Sequence, residues 1–401
     1  MNLRTPRGVK DFLPLEAEWK LELERKIRSV FHRWGYQEVI SPTFEFYDLF
    51  AQGSGDQRQA YRFFDQNGDL LVLRSDLTTP IARMVATRLK DEAKPLRLGY
   101  IANVFRYDEV QVGFQREFYQ AGVELLGSSS AAADAEAAAL AVTIFNQVGV
   151  SGFKLDLGHT GYIQGVLSEC PTQPVRERIW QLLRKKDLVG LKAAVMTGDL
   201  PEHVRVLLLN LPHARGGAKL LEEAYAGAPN EMARNAAANL REIYARLHDY
   251  GLGAQTEIDL GMVKSFGYYT GMVLEGYVPQ VGFTLCSGGR YDQLGMGFGS
   301  HLPAVGFALG LERLMLALEL QGLRPEAKSG GVLILPRSWP HALEYAAGMR
   351  DQGIRVEVDT ENRTEAEAAA YARQRRFARV VVVDAASIRE LPLDGEEGSQ
   401  C

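Results

Sequence analysis

The tightest constraint on how this chain can fold lies in residues 103–127, NVFRYDEVQVGFQREFYQAGVELLG. Two strand-forming runs, 103–107 and 117–126, flank a polar turn. Strand side chains alternate between faces, so Phe118, Gln120, Gly122 and Glu124 share one of them. Gly122 leaves space between an amide and a carboxylate, which suits a pocket floor. Arg106, on the neighbouring run, carries a planar fork matched to a carboxylate or phosphate. The same pattern also describes the solvated face of an amphipathic hairpin.

A chain of 401 residues has room for two or three domains, and 46% hydrophobic with 24% charged residues predicts a sizeable core. A net charge of −5 supplies no broad basic field for nucleic acid, though it leaves room for a local basic patch. Cys170, Cys286 and Cys401 are too far apart for a metal-ligand motif and predict reduced thiols. The polar start and the absence of a long apolar run predict a cytoplasmic protein with no membrane segment.

Apolar Leu21, Leu23, Ile27, Val30, Phe31 and Trp34 recur at the helical period, predicting a helix over 15–34 that Gly35 stops. Residues 36–50 alternate like a strand, and Pro42 assigns that strand to an edge or an interface. Residues 61–74 read as a hairpin turning at Asn67-Gly68, and Ser75 or Asp76 caps a helix running to about Lys90. An Ala-rich helix over 131–148 precedes a short strand, 153–157, ended by Gly158-His159. A lone histidine there is first of all a structural hydrogen-bonding group.

Residues 168–250 alternate helical runs with no strand signal, as an all-helical insertion would. Strands resume over 256–262, 269–277 and 282–287. A tight turn over 288–292 and a Gly-rich stretch over 295–300, expected to move, come next. The apolar element over 304–318 carries Glu312 and Arg313, either as a buried ion pair or as ligand contacts. Beyond a linker at 323–330 five runs read β-α-β-α-β. The expected division is a core of 1–167 and 251–322, the insertion 168–250, a small α/β domain 331–393 and a disordered tail 394–401. No repeat, P-loop, dinucleotide fingerprint or zinc spacing appears, and neither a metal nor a cofactor is expected.

In order, these motifs resemble the catalytic core of class II aminoacyl-tRNA synthetases, and within that class histidyl-tRNA synthetase. Pro42 stands at the interface proline of the first class motif, Phe105-Arg106-Tyr107 opens the second, and GFALGLER over 306–313 reads as the third. LRSDLT over 73–78 resembles the family's L-R-P-E-G-T segment. Gln120 and Glu124 match its pocket strand, and Gly267-Tyr268-Tyr269-Thr270 resembles its second histidine motif, with SGGRYD over 287–292 following. The resemblance covers roughly residues 5–165 and 255–320. It implies an α+β fold: an antiparallel sheet flanked by helices, with the helical insertion and the small C-terminal α/β domain attached.

Departures from the family pattern carry equal weight. Lys264 stands where the synthetase has an arginine beside the reacting carboxylate and α-phosphate, and a point charge cannot form that fork. Phe114 replaces an arginine expected on ATP phosphates, where charge stabilisation matters most. Asp76 is one methylene shorter than the usual Glu, and the C-terminal domain is short for an anticodon-binding module. A kept pocket with damaged chemistry resembles the regulatory-subunit family of ATP phosphoribosyltransferase, which is paralogous to the synthetase.

That resemblance implies a non-catalytic subunit that binds the short-form catalytic subunit in the first step of histidine biosynthesis and senses histidine as inhibitor. It implies a self-dimer around Pro42 and no tRNA. In the implied pocket Gln120 and Glu124 receive the imidazole or α-amino group, Asp76 and Thr78 the α-ammonium, and Arg106 the carboxylate. Tyr268 and Tyr269 form the wall, and Arg116, Lys264 and Arg313 mark a residual nucleotide or phosphate site. An active histidyl-tRNA synthetase and a tRNA-binding module without synthetase activity remain the alternatives.

Overall fold

The structure is a computed structural model that describes residues 3–51, 60–107, 115–264, 269–299, 301–325 and 330–393. The chain runs α1 (Pro14–Arg33), β1 (Gln37–Glu38), β2 (Phe44–Phe46), α2 (Tyr47–Ala51), β3 (Arg62–Phe64), β4 (Leu70–Leu73) and α3 (Thr78–Arg88). Then come β5 (Leu96–Phe105), β6 (Glu117–Leu126), α4 (Ala131–Val148), β7 (Lys154–His159) and α5 (Thr160–Ser168). The next stretch holds α6 (Gln173–Lys185), α7 (Leu188–Thr197), α8 (Glu202–Asn210), β8 (Arg215–Gly216), α9 (Ala218–Ala226) and α10 (Glu231–Asp249). It leads into β9 (Thr256–Asp259), β10 (Met272–Tyr277), β11 (Thr284–Arg290), β12 (Ala304–Gly310) and α11 (Leu311–Leu320). Last are β13 (Val332–Pro336), α12 (Trp339–Asp351), β14 (Val356–Val358), α13 (Glu365–Gln374), β15 (Arg379–Val383) and β16 (Ile388–Leu391). These elements make two units, Met1–Arg324 and Pro325–Cys401.

In the first unit nine strands form one sheet, in the order β1-β5-β6-β12-β11-β10-β7-β9-β8. Its centre, from β5 to β7, is antiparallel, while β1 joins β5 and β9 joins β7 in parallel. The two faces follow from alternation. Ala121, Val123 and Leu125 of β6 pack with Val305, Phe307 and Leu309 of β12 against the helical layer that includes α1 and α4. Helix α4 is buried nearly all round, which its alanines permit by letting neighbours come close. Ser130 caps it by accepting from the Ala133 amide, and Gly149 ends it in the left-handed region at φ 92°. The opposite sheet face carries Leu98, Tyr100, Val104, Val273 and Tyr291. Gln120, Gly122 and Glu124 point to that face.

Several expectations shift. The alternation over 36–50 is broken: β1 and β2 are short, Pro42 lies between them, and Tyr47–Ala51 is a helical turn. The turn between β3 and β4 is organised by Asp65, whose Oδ1 accepts from the Asn67 and Asp69 amides, with Gly68 at φ 87°. The tight turn expected over 288–292 begins inside β11, because Gly288, Gly289 and Arg290 pair with both β10 and β12 or with β12 alone. Leu294–Phe298 form a 3-10 helix, so residues 295–298 of the Gly-rich stretch are helical, preceded by the buried Leu294.

The insertion is not wholly helical, since Arg215 and Gly216 pair antiparallel with β9 at the sheet's end. Of the two roles open to Glu312 and Arg313, no ion pair between them is found among the described residues: Glu312 accepts from the Tyr119 amide at 3.0 Å and Arg313 donates to the Thr284 carbonyl at 3.1 Å. His159 caps α5 by accepting from the Gly161 amide, and burial lowers its pKa to about 4. Cys170 and Cys286 are free and buried.

In the second unit β14, β13 and β15 are parallel, and β16 adds antiparallel to β15, a strand beyond the expected β-α-β-α-β. Val332, Ile334 and Val381 pack on α12, while Leu333, Leu335 and Val382 pack on α13. A parallel sheet covered on both faces needs such continuous aliphatic runs. The expected tail, 394–401, lies outside the described residues.

Candidate functional site

Glu124 sits near the C-terminal end of β6, directly across from Leu98 of β5 and Gly306 of β12. Its side chain is 1% exposed. Thr78 Oγ1 donates to Glu124 Oε1 at 2.8 Å, and the Tyr291 hydroxyl donates to Oε2. Tyr100, with its hydroxyl beside Gly122, is a further neighbour that favours the ionised form of the same carboxyl. Space for this arrangement comes from two glycines. A Cβ on Gly306 would overlap Glu124 Oε2 and the Val123 carbonyl, and one on Gly122 would overlap the Tyr100 hydroxyl and the Phe307 carbonyl. Burial raises the Glu124 pKa to about 8, against the hydroxyl donors, while Asp76 adds to the rise.

The turn before α3 brings the next residues to this carboxyl. Arg74 anchors the turn by donating to the carbonyls of Ser41, Pro42 and Asn103. Asp76 Oδ1 then accepts from the Thr79 amide at 2.8 Å, which caps the first turn and aims Thr78 at Glu124. The helix therefore starts at Thr78, with Asp76 as its capping side chain. Gln120 lies one pleat from Gly122 on the same face and is 9% exposed. Arg106 Nε donates to the Ser75 carbonyl at 2.8 Å and its guanidinium lies 5.3 Å from the Phe118 ring centre. Tyr269 is buried, with its ring under the α-carbon side of Gly289. Tyr268 lies outside the described residues, as do Gly267 and Phe114.

Each of the three residues expected at a phosphate site has protein contacts of its own. Lys264 is buried and donates to Glu275 Oε1 at 2.6 Å and Ser287 Oγ at 2.9 Å. Burial lowers its pKa, and Glu275 opposes that shift. Arg116 stacks 4.1 Å from the Tyr107 ring centre, and its stem packs under Gly8. Arg313 bonds the Thr284 carbonyl. Among the described residues no group of three or more His, Cys, Asp or Glu side chains could hold a metal ion.

Three participants had no role assigned from sequence. Tyr291 belongs to SGGRYD, and period-two counting from Gly289 along β11 would have aimed it at Glu124. Tyr100 and Gly306 become visible only through register, since both meet the pocket from neighbouring strands. Arg290, from the same segment, turns to the helical face and is held by Asp134 at 2.7 Å.

The family model described as histidyl-tRNA synthetase matches residues 8–314. A protein of Moorella thermoacetica, named ATP phosphoribosyltransferase regulatory subunit, is 44% identical over 376 residues, covering 93% of this chain and 96% of its own length. One of the same name from Desulforamulus reducens is 40% identical over 386 residues, covering 95% and 96%. Among solved structures, an ATP phosphoribosyltransferase regulatory subunit/histidyl-tRNA synthetase from Bacillus halodurans superposes with a TM-score of 0.87 at 32% identity, over 96% of this chain and all of that one. Histidyl-tRNA synthetase from Nostoc gives 0.83 at 21% identity over 98% and 97%, a likeness of fold.

Proposed function

The chain belongs to the ATP phosphoribosyltransferase regulatory subunits, on a class II synthetase-like fold, and we propose that it activates the short-form catalytic subunit and senses histidine for feedback inhibition. It acts in the first step of L-histidine biosynthesis, as a cytoplasmic, non-catalytic partner, and needs no tRNA. The observation that carries this reading is a contrast: the carboxyl of Glu124 is surrounded by donors, while Lys264 is occupied by Glu275 and Ser287. A lysine neutralised in this way is poorly suited to stabilise charge developing on a phosphate.

In this reading Glu124 and Gln120 receive the imidazole or α-amino group, Asp76 and Thr78 the ammonium, and Arg106 the carboxylate, with Tyr268 and Tyr269 as the wall. The phosphate site of Arg116, Lys264 and Arg313 is vestigial. The test is phosphoribosyl-ATP formation by the short-form catalytic subunit with and without this chain, across a histidine titration. Activity that requires the chain and falls with histidine is expected. Robust histidine-dependent pyrophosphate exchange by the chain alone would instead establish an active synthetase.

A further inference from the structure

Glu124 is a buried acid whose hydrogen-bond partners among the described residues are both hydroxyls, Thr78 and Tyr291, with Tyr100 beside it. A carboxylate so far from water is stable only with a cation or strong donors. Among the described residues, the titratable groups facing it offer none of the first kind. β5 contributes Tyr100, the turn before α3 contributes Asp76, and the end of β11 contributes Tyr291. Tyr269 lies beyond Tyr100, and Tyr36 feels the charge from elsewhere in the unit. β12 brings only Gly306 opposite it. The strongest influence on the carboxyl is burial, which together with Asp76 favours its protonated form.

A ligand that presents a nitrogen N–H to Glu124 changes this balance. We propose that ligand binding in this pocket is coupled to release of the Glu124 proton, and that Tyr291 is the positioning residue that sets how readily the carboxylate forms. Resting on the histidine reading above, the step balances simply. The neutral imidazole keeps its N–H and donates it to Glu124, whose own proton passes to the buffer. The Tyr291 and Thr78 hydroxyls hold the outer lone pairs of the two oxygens throughout. A ligand that presents an N–H thereby draws the proton off, whereas one that offers only an acceptor would bind the protonated carboxyl with no proton release. A regulator built this way responds to pH as well as to its effector.

The experiment is calorimetric titration of the full chain with L-histidine, from about pH 6.5 to about pH 8, in buffers of contrasting ionisation heat. Release of about one proton per histidine at the acidic end is expected, with affinity rising about tenfold per pH unit and levelling near pH 8. Glu124→Gln should bind more weakly and without proton release. Tyr291→Phe, lacking the donor that favours the carboxylate, should move the levelling point to higher pH. Binding by the wild type with no proton exchange, or identical release by Glu124→Gln, overturns the coupling while leaving histidine sensing intact. An unmoved levelling point in Tyr291→Phe overturns the role of Tyr291. No histidine binding at any pH overturns the histidine reading and the coupling with it.

Discussion

At Glu124 the fold accepts an energetic cost that a regulator can use. An acid whose folded pKa stands near 8 holds a proton that the unfolded chain would lose in the ordinary carboxylate range. The folded state therefore binds more protons across that window, so stability falls as pH rises through it. Glu124→Gln removes this dependence while keeping the shape. Without ligand, the variant is expected to melt above the wild type at pH 8, with a gap that closes toward pH 5. Thermal melts across that range check it, and a gap independent of pH would locate the effect in packing. Gly306→Ala tests the space beside the carboxyl. Its Cβ collides with the Val123 carbonyl as well as Glu124, and the backbone cannot step aside. A loss of about 1–3 kcal/mol in denaturant unfolding is expected, with histidine affinity falling on the order of tenfold or more. Glu124→Ala should weaken binding on the order of tenfold to a hundredfold, from the loss of roughly 1.5–3 kcal/mol, with the fold kept.

At the scale of elements, β8 deserves the closest look because it joins the helical insertion to the sheet with only two residues. Its pairing is secured by Arg215, which bonds Asp156, Glu257, Asp259 and the Tyr277 hydroxyl. Asp156 is 5% exposed, and burial raises its pKa to about 6 against the pull of Arg215. Arg215→Met would strand that acid. Since Arg215 is itself 38% exposed, the expected loss is about 1–3 kcal/mol, below the range for a fully buried pair. Adding Asp156→Asn should recover part of it, which a double-mutant cycle by urea unfolding would measure. Purely additive effects would mean that strand pairing, not charge, holds the insertion.

For the whole molecule, one surface stands out. Ile40, Phe44, Phe46 and Phe64 are all more than half exposed around the small sheet β2-β4-β3, beside Pro42. So much apolar surface in one place favours association, and we propose that it is the self-dimer contact. Phe46→Glu with Phe64→Glu should shift sedimentation from dimer to monomer with little change in far-UV circular dichroism. An unchanged sedimentation coefficient would assign the patch to another partner.

The sequence alone determined the strand-loop-strand unit around Gln120 and Glu124, the helix over 131–148, the Lys264 departure and the order of the motifs, because periodicity, capping and spacing are local properties. It also carried the resemblance to the synthetase-like regulatory family, for which motif order suffices. It missed the β8 strand, since two residues show no period and become a strand only when β9 lies alongside. It read Gly288–Arg290 as a turn, because glycines look like breakers until two neighbouring strands crowd them. The partners of Glu124 needed register: Tyr100, Gly306 and Tyr291 meet one carboxyl from three separate segments, and only the packed sheet decides which side chains stand opposite. The same holds for Lys264, whose charge was legible but whose pairing with Glu275 and Ser287 was not. Spacing along a chain tells which face a side chain takes; the distance across strands, and so the chemistry it can do, is set by tertiary packing.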